Sequence, residues 1–152
     1  EHGFNIDMGN DIEIIGYIDR IIKGKEGGVL IIDYKTGRRE KSKTELYQDT
    51  QLKGYAFAVH KDFKVPLKSI TCAHYYPVTD NLVTIKYSES QIASHMRNIL
   101  SDVWKIRKLK GGEFNPCENE FCNWCGYKNV CTIFNDPQQI QKRLEEAKKR
   151  TY

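Results

Sequence analysis

The sequence has no apolar run that approaches the roughly 20 residues of a membrane-spanning helix, and no basic-then-apolar segment opens it. These absences argue against a membrane anchor and a secretory signal in these residues, so we expect a cytoplasmic protein without a membrane partner. Internal repeats and low-complexity segments are also missing, which excludes a solenoid or a disordered chain. The net charge is only +4, too small by itself to identify a partner. Because the chain opens on Glu1 rather than methionine, we expect a fragment of a longer protein.

What is present is an ordinary globular composition with an unusual group of cysteines. Hydrophobic residues make up 39% and charged residues 29% of 152 residues, which suits one domain with a single core. Four of the five cysteines lie between Cys117 and Cys131.

The spacing of apolar residues predicts strand hairpins interleaved with helices, which indicates an α/β or α+β domain. Residues 11–22 and Val29–Ile32 are predicted strands, joined by a glycine-containing turn over residues 23–28. Further elements are predicted as a helix over 45–60, a hairpin over 70–87, a long helix from the capping box of Ser88 and Gln91 to Gly111-Gly112, and a polar helix over 138–152.

Two carboxylates and a lysine are predicted on one face of the first hairpin. Side chains alternate along a strand, so Asp33 and Lys35 project on the same side, about 6–7 Å apart. If Gly24 pairs with Gly28, the register places Asp19 directly opposite Asp33, with Cβ atoms about 4.5–5.5 Å apart. This spacing suits two carboxylates that share one divalent cation.

Such a triad has a structural alternative, since an aspartate pair beside a lysine is often a surface ion-pair cluster. The adjoining apolar run Val29–Ile32 argues against it, because carboxylates that end a buried strand are costly without a metal or partner. Two neighbouring carboxylates repel each other, and a bound Mg²⁺ or Mn²⁺ would relieve that repulsion and could polarise a phosphoryl oxygen. Lys35 could orient the attacking water or stabilise the negative charge that develops on the phosphate.

The cysteine spacing, x₄ then x₂ then x₅ across Cys117, Cys122, Cys125 and Cys131, offers four metal ligands within fifteen residues. Structural zinc, an iron–sulfur cluster and disulfides are the alternatives. Disulfides are disfavoured, because no secretory signal is visible and the Cys122–Cys125 loop is too short for good bridge geometry.

Three separated motifs resemble the PD-(D/E)XK nuclease superfamily, in particular its RecB-like branch with the AddB-type nucleases and the CRISPR-associated iron–sulfur exonucleases. They are Gly-x-Ile-Asp-Arg ending at Arg20, Asp-Tyr-Lys-Thr-Gly from Asp33, and Gln51-Leu-x-x-Tyr55. The resemblance implies a restriction-endonuclease-like core, a central mixed β-sheet flanked by helices, with a cysteine-clasped C-terminal segment. By the same resemblance, residues 1–134 would be the nuclease domain and 135–152 a C-terminal polar helix.

The resemblance also implies roles for individual residues. Asp19 and Asp33 would bind the metal together with the backbone carbonyl of Tyr34, and Lys35 would be the catalytic lysine. Gln51 and Tyr55 would line the site near the scissile phosphate. The family normally carries an upstream helix with a histidine or acidic metal ligand, and that helix is absent from these residues.

The cysteine tail resembles that of the iron–sulfur members of the family, in which three late cysteines join one upstream cysteine to hold a 4Fe–4S cluster. The fourth ligand would be Cys117, or else Cys72, which lies in a predicted strand. Structural Zn²⁺ is the alternative.

Basic residues concentrate directly after Lys35, where a loop suited to gripping phosphates is predicted from Arg38, Arg39, Lys41 and Lys43. The basic tail helix fits a solvated surface helix instead. The leading interpretation is a Mg²⁺- or Mn²⁺-dependent deoxyribonuclease, acting on DNA ends or single strands with a helicase or recombination partner in the same or another chain. The alternative is a DNA-binding or assembly module with an idle nuclease site.

Overall fold

The computed structural model describes residues 1–109 and 115–149. These described residues form two compact units, which divide between Val103 and Trp104. The first unit holds two β-sheets and the helices packed on them. No helix within the described ranges is long and apolar enough to cross a membrane.

The predicted strand over residues 11–22 is divided between two sheets. Strands β1 (His2–Asp7) and β2 (Glu13–Ile18) form an antiparallel pair, whereas β3 (Arg20–Lys23) pairs with β4 (Val29–Tyr34). The chain therefore changes sheet at Asp19, and the prediction of one continuous strand is wrong there. The cause is tertiary, because β1 offers a second pairing partner that the local pattern does not reveal.

The main sheet has the strand order β3-β4-β5-β6, with β5 (Ile70–Tyr76) parallel to β4 and antiparallel to β6 (Asn81–Ile85). This confirms the predicted mixed sheet. The register between β3 and β4 is also as predicted: Arg20 faces Ile32, and the Gly24 N–H donates to the Gly28 carbonyl at 2.8 Å. Gly27 closes the turn with φ +81°, a conformation that glycine adopts without strain.

The helix predicted over residues 45–60 is two helices, α1 (Lys43–Gln48) and α2 (Thr50–Phe63). Asp49 separates them: its backbone is extended, and its carboxylate accepts a hydrogen bond from the Leu52 N–H at 2.9 Å. An N-cap of this kind satisfies a donor at the helix start. The predicted single helix is therefore wrong at Asp49, where a capping side chain outweighs helix propensity.

Helix α3 (Glu89–Lys108) begins at the predicted capping box, in which the Ser88 N–H donates to the Gln91 side chain at 2.8 Å. Ile92 and Met96 of its apolar stripe are buried, whereas Ile106 is exposed. The predicted end at Gly111-Gly112 lies outside the described residues.

The core of the first unit lies between the main sheet and the helices, and Ile18, Ile31, Leu46 and Leu52 are its fully buried residues among others. Alternation puts Ile31 and Asp33 of β4 on this covered face. Asp33 therefore lies at the edge of a dry core.

In the second unit, two 3₁₀ turns, Glu120–Trp124 and Lys128–Val130, precede the polar helix α4 (Pro137–Lys149). The Arg143 guanidinium of α4 donates to the Asn129 carbonyl in the second turn and to the Asn135 side chain, the latter at 2.8 Å. The rest of the helix predicted to residue 152 lies outside the described residues.

Candidate active site

Strand β4 ends in a close ion pair between two of the predicted site residues. The Lys35 ammonium lies 2.6 Å from Asp33 Oδ2, and the Asp33 residue is only 3% exposed. Within the described part of the chain, Asp33 Oδ2 receives no hydrogen bond of good geometry, despite that neighbouring cation. The site therefore contains a buried carboxylate oxygen with spare capacity for a cation.

Asp19 lies at the sheet change, where it is partly exposed. Its Oδ2 accepts a hydrogen bond from the Tyr34 backbone N–H at 2.9 Å, which holds the Asp19 carboxylate against the end of β4. The β3–β4 ladder begins at Arg20 and Ile32, so the predicted strand pairing of Asp19 with Asp33 is not formed. Asp19 instead contacts β4 at Tyr34, the residue after Asp33.

Helix α2 brings the third motif to the same place. The Lys35 ammonium donates to Gln51 Oε1 at 2.8 Å, and Gln51 Nε2 donates to the Tyr55 hydroxyl at 2.8 Å. Burial, followed by the nearby Asp33 carboxylate, raises the pKa of Tyr55, so its hydroxyl keeps its proton at neutral pH. An ion pair followed by two hydrogen bonds therefore connects Asp33 through Lys35 and Gln51 to Tyr55.

His74 is a fully buried neighbour of this site that the sequence reasoning missed. It is the parallel-register partner of Asp33 on β5, and its Nε2 lies 3.8 Å from Asp33 Oδ2 and 3.7 Å from Asp49 Oδ2. Burial lowers the pKa of His74 and outweighs the opposing effect of the two carboxylates. The parallel pairing of β4 with β5 was the signal needed to find it.

Asp49 connects this site to the start of α2. Its Oδ2 accepts from the Lys41 ammonium at 2.7 Å. Burial opposes ionisation of Asp49, but the bonds from Lys41 and the Leu52 N–H outweigh it, so the pKa of Asp49 is lowered. An ionised, capped Asp49 fixes the first turn of α2, from which Gln51 projects.

The predicted basic loop is only partly available to a ligand. Lys41 is engaged by Asp49, and the Arg39 guanidinium pairs with Glu45 at 2.5 Å. Arg38 and Lys43 are exposed.

The donor set at Asp19 and Asp33 suits Mg²⁺ or Mn²⁺. Mg²⁺ keeps several waters and commonly binds one or two protein carboxylates together with substrate phosphates, so a full protein cage is unnecessary. The buried Asp33 oxygen and the partly exposed Asp19 carboxylate at the end of β4 are the residues that could form such a half-site.

The four cysteines of the C-terminal segment are not gathered around one point in this structure. Cys117 and Cys125 are exposed, Cys122 and Cys131 are partly exposed, and all are free thiols. In residues 1–109 and 115–149, no three His, Cys, Asp or Glu side chains gather as a group that could hold a metal ion. The arrangement as it stands does not fit a 4Fe–4S cluster or a tetrahedral zinc.

Cys72, the other predicted fourth ligand, belongs to the core of the first unit. It is 1% exposed, and its thiol donates to the Leu52 carbonyl at 3.6 Å. Burial raises the pKa of Cys72 to about 12, which disfavours the thiolate that a metal requires.

Comparison with known proteins finds relatives that share part of their length with this chain. Proteins named as a subunit of an ATP-dependent helicase/deoxyribonuclease, from Streptococcus pyogenes serotype M1 and serotype M49 (strain NZ131), are 25% identical over 143 residues. The match covers 91% of this chain but only 13% of each relative. Among solved structures, the crystal structure of SSO0001 aligns with a TM-score of 0.46 at 20% identity, over 88% of this chain and 58% of that one.

The sequence model of the PD-(D/E)XK nuclease superfamily matches residues 1–132, which include every residue of the candidate site. The four-stranded mixed sheet with flanking helices is consistent with the restriction-endonuclease-like fold predicted from the motifs. The chain belongs to the PD-(D/E)XK nuclease superfamily.

Proposed function

We propose that this chain is a divalent-metal-dependent deoxyribonuclease that hydrolyses phosphodiester bonds at DNA ends or in single strands. The observation that carries the proposal is the Asp33–Lys35 ion pair, which two hydrogen bonds extend to Gln51 and Tyr55, together with an Asp19 carboxylate that accepts from the Tyr34 N–H. A surface ion-pair cluster would not require a 3%-exposed aspartate.

Each residue has a distinct task in this proposal. Asp19 and Asp33, with the Tyr34 carbonyl, would hold Mg²⁺ or Mn²⁺, which supplies polarisation of a phosphoryl oxygen and a more acidic bound water. The Lys35 ammonium, steered by Gln51, meets the negative charge that develops on the phosphate. The protonated Tyr55 hydroxyl can donate a hydrogen bond at the same site.

The substrate would be gripped by the basic loop that follows Lys35. Arg38 and Lys43 are exposed there and could contact phosphates without reading sequence. Since the relatives are named as parts of an ATP-dependent helicase/deoxyribonuclease, we also propose a helicase partner in the same or another chain, with a role in DNA repair or recombination.

Metal removal tests the proposed reaction. We expect the protein to cut end-labelled DNA in Mg²⁺ or Mn²⁺ and to lose that activity fully in excess EDTA, with recovery when Mn²⁺ is restored in excess. Cleavage that continues unchanged in EDTA would contradict the metal-dependent mechanism. Tight DNA binding without any cleavage in either metal would favour the idle-site alternative.

Metal binding by Cys117, Cys122, Cys125 and Cys131 is a second part of the proposal, supported by their spacing alone. A 4Fe–4S cluster predicts bound iron and a broad visible absorption band in anaerobically purified protein, both lost in Cys125→Ser. Buried Cys72→Ser is not a suitable control, so the exposed Ser90→Ala serves instead and should keep the band. A colourless protein with one bound zinc would show that the cysteines bind Zn²⁺ and not an iron–sulfur cluster. A metal-free protein would refute both metal assignments.

A further inference from the structure

His74 has no part in the reaction proposed above, although it lies at the centre of a cluster of charged groups. It is fully buried on the covered face of the main sheet, where the parallel pairing of β5 with β4 places it beside Asp33. Its Nε2 is 3.8 Å from Asp33 Oδ2 and 3.7 Å from Asp49 Oδ2. A buried imidazole between two carboxylates needs an explanation, because bulk water cannot satisfy its ring nitrogens.

The hydrogen bonds of Tyr76 indicate which nitrogen of His74 carries the proton. The Tyr76 hydroxyl accepts from the Lys41 backbone N–H at 2.8 Å, so its own proton can be donated elsewhere. His74 Nδ1 lies 3.4 Å from that hydroxyl and can accept this proton. A neutral imidazole that accepts at Nδ1 carries its hydrogen on Nε2. The Nε2–H of His74 is therefore a hydrogen-bond donor that faces the two carboxylates.

Of these two carboxylates, Asp33 is the one with an acceptor to spare. Asp49 Oδ1 accepts from the Leu52 N–H at 2.9 Å, and Asp49 Oδ2 accepts from the Lys41 ammonium at 2.7 Å. Asp33 Oδ2 and His74 Nε2, in contrast, are both buried atoms that make no hydrogen bond to any residue that the structure describes. An unpaired donor and an unpaired acceptor are costly in a protein interior, so each of these atoms gains from the other.

Lys35 separates the two atoms in this structure. Its ammonium lies 2.6 Å from Asp33 Oδ2 and draws that oxygen to the open side of the site. The 3.8 Å gap to His74 Nε2 is about 0.8 Å longer than an N–H···O bond of ~3.0 Å, so a small rotation of the Asp33 carboxylate closes it. In the proposed reaction Lys35 meets the charge on the phosphate, and Asp33 Oδ2 then needs another donor.

We propose that His74 is a positioning residue, whose Nε2–H takes over Asp33 Oδ2 from Lys35 and fixes the Asp33 carboxylate for metal binding. The inference rests on the proposed nuclease function and adds a residue that acts through Asp33. A carboxylate ligand is oriented by a hydrogen bond from a neighbouring side chain, and loss of such a partner costs about 10–100-fold in metal affinity. Because its Nε2 carries a hydrogen, His74 is not itself a ligand.

Two amide substitutions separate the donor at Nε2 from the packing of the imidazole. The side-chain nitrogen of glutamine can occupy the place of Nε2, whereas that of asparagine is one bond shorter and reaches only the place of Nδ1. We expect His74→Gln to bind Mn²⁺ nearly as tightly as the wild type. His74→Asn should bind it about 10–100-fold more weakly, measured by calorimetry without DNA.

The dependence of cleavage on Mn²⁺ distinguishes positioning from a structural role. In His74→Asn the Mn²⁺ concentration for half of the maximal rate should rise by about 10–100-fold, while the rate at saturating Mn²⁺ stays near that of the wild type. Loss of folded protein would instead lower the rate at every Mn²⁺ concentration. His60→Asn is the matched control, because His60 lies in the last turn of α2, with its Nδ1 2.8 Å from the Val65 carbonyl. It should leave the affinity and the half-maximal concentration unchanged.

The wild type provides a test that does not depend on the folding of any variant. With ¹⁵N-labelled histidine, long-range ¹H–¹⁵N spectra recorded in EDTA should show the hydrogen of His74 on Nε2. A hydrogen on Nδ1 alone would overturn the proposal, and so would equal Mn²⁺ affinities of His74→Asn and the wild type, or equally weak binding by His74→Gln and His74→Asn.

The same measurements keep this proposal distinct from the nuclease proposal. A wild type that binds Mn²⁺ and cuts DNA, together with a His74→Asn variant that does both equally well, refutes the positioning role alone. A wild type that neither binds Mn²⁺ nor cuts DNA refutes the nuclease, and the positioning role with it.

Discussion

Asp33→Asn is expected to reduce DNA cleavage by on the order of a thousandfold or more. The substitution keeps the size of the side chain but removes the charge that would hold the cation. Polarisation by the metal lowers the activation free energy by several kcal/mol, and each tenfold in rate corresponds to about 1.36 kcal/mol. Because Asp33 is only 3% exposed, asparagine disturbs the packing less than alanine, which would leave a cavity. The measurement is the initial rate on end-labelled single-stranded DNA in Mn²⁺.

Binding and folding controls make this result interpretable. Mn²⁺ affinity, measured by calorimetry, should fall together with the rate, while circular dichroism stays that of the wild type. Glu26→Gln removes a carboxylate from the exposed β3–β4 turn and should leave both rate and affinity unchanged. An Asp33→Asn variant that binds Mn²⁺ as tightly as the wild type would remove Asp33 from the metal site.

Lys35→Met is expected to lower the cleavage rate by about 10²–10³-fold, because one preorganised donor to the developing charge is lost. Lys35→Met should raise the affinity for Mn²⁺, whereas Asp33→Asn should lower it. The Lys35 ammonium lies 2.6 Å from Asp33 Oδ2 and competes with a cation for that oxygen. Without Lys35 the buried carboxylate is unpaired, which destabilises the free protein and favours metal binding.

Thermal unfolding can detect this difference. Mn²⁺ should raise the Tm of Lys35→Met by more than it raises the Tm of the wild type, since a ligand stabilises according to its affinity for the folded state. Lys25→Met, in the same exposed turn as Glu26, is the matched control and should behave as the wild type. If Lys35→Met cut DNA at the wild-type rate, Lys35 would be a structural partner of Asp33 and no more.

The register that brings Asp19 to the end of β4 could be predicted because it depends on local information. A glycine turn sets the register of one hairpin, and alternation then decides which side chains share a face. The observed pairing of Arg20 with Ile32 follows that register. Gln51 and Tyr55 were likewise predictable as neighbours, being one helical turn apart.

Features that depend on distant segments could not be predicted in this way. His74 meets Asp33 because β5 lies parallel to β4, and nothing near residue 74 specifies that neighbour. The break at Asp49 exists because a capping aspartate is held by Lys41, although the surrounding residues favour one helix. The cleft of about 640 Å³ beside Gln51 and Tyr55 combines residues of β1, β2, α2 and α3, so only the folded chain reveals it.

In the cysteine segment the sequence predicts a site that the structure does not show assembled. Its spacing predicts metal binding, yet the thiols do not gather in the part of the chain that the structure describes. Without a bound cation nothing draws the four thiols together, so the spacing of the cysteines and their positions in the structure answer different questions.

The central claim is that carboxylates at Asp19 and Asp33 hold a metal ion that drives phosphodiester hydrolysis. The most direct test is the single-turnover rate of cleavage of a labelled single-stranded oligonucleotide, measured against Mn²⁺ concentration for the wild type and Asp33→Asn side by side. We predict a rate that rises from zero to saturation for the wild type and stays near zero for the variant. Equal rates for the two proteins, or a wild-type rate independent of Mn²⁺, would contradict the claim.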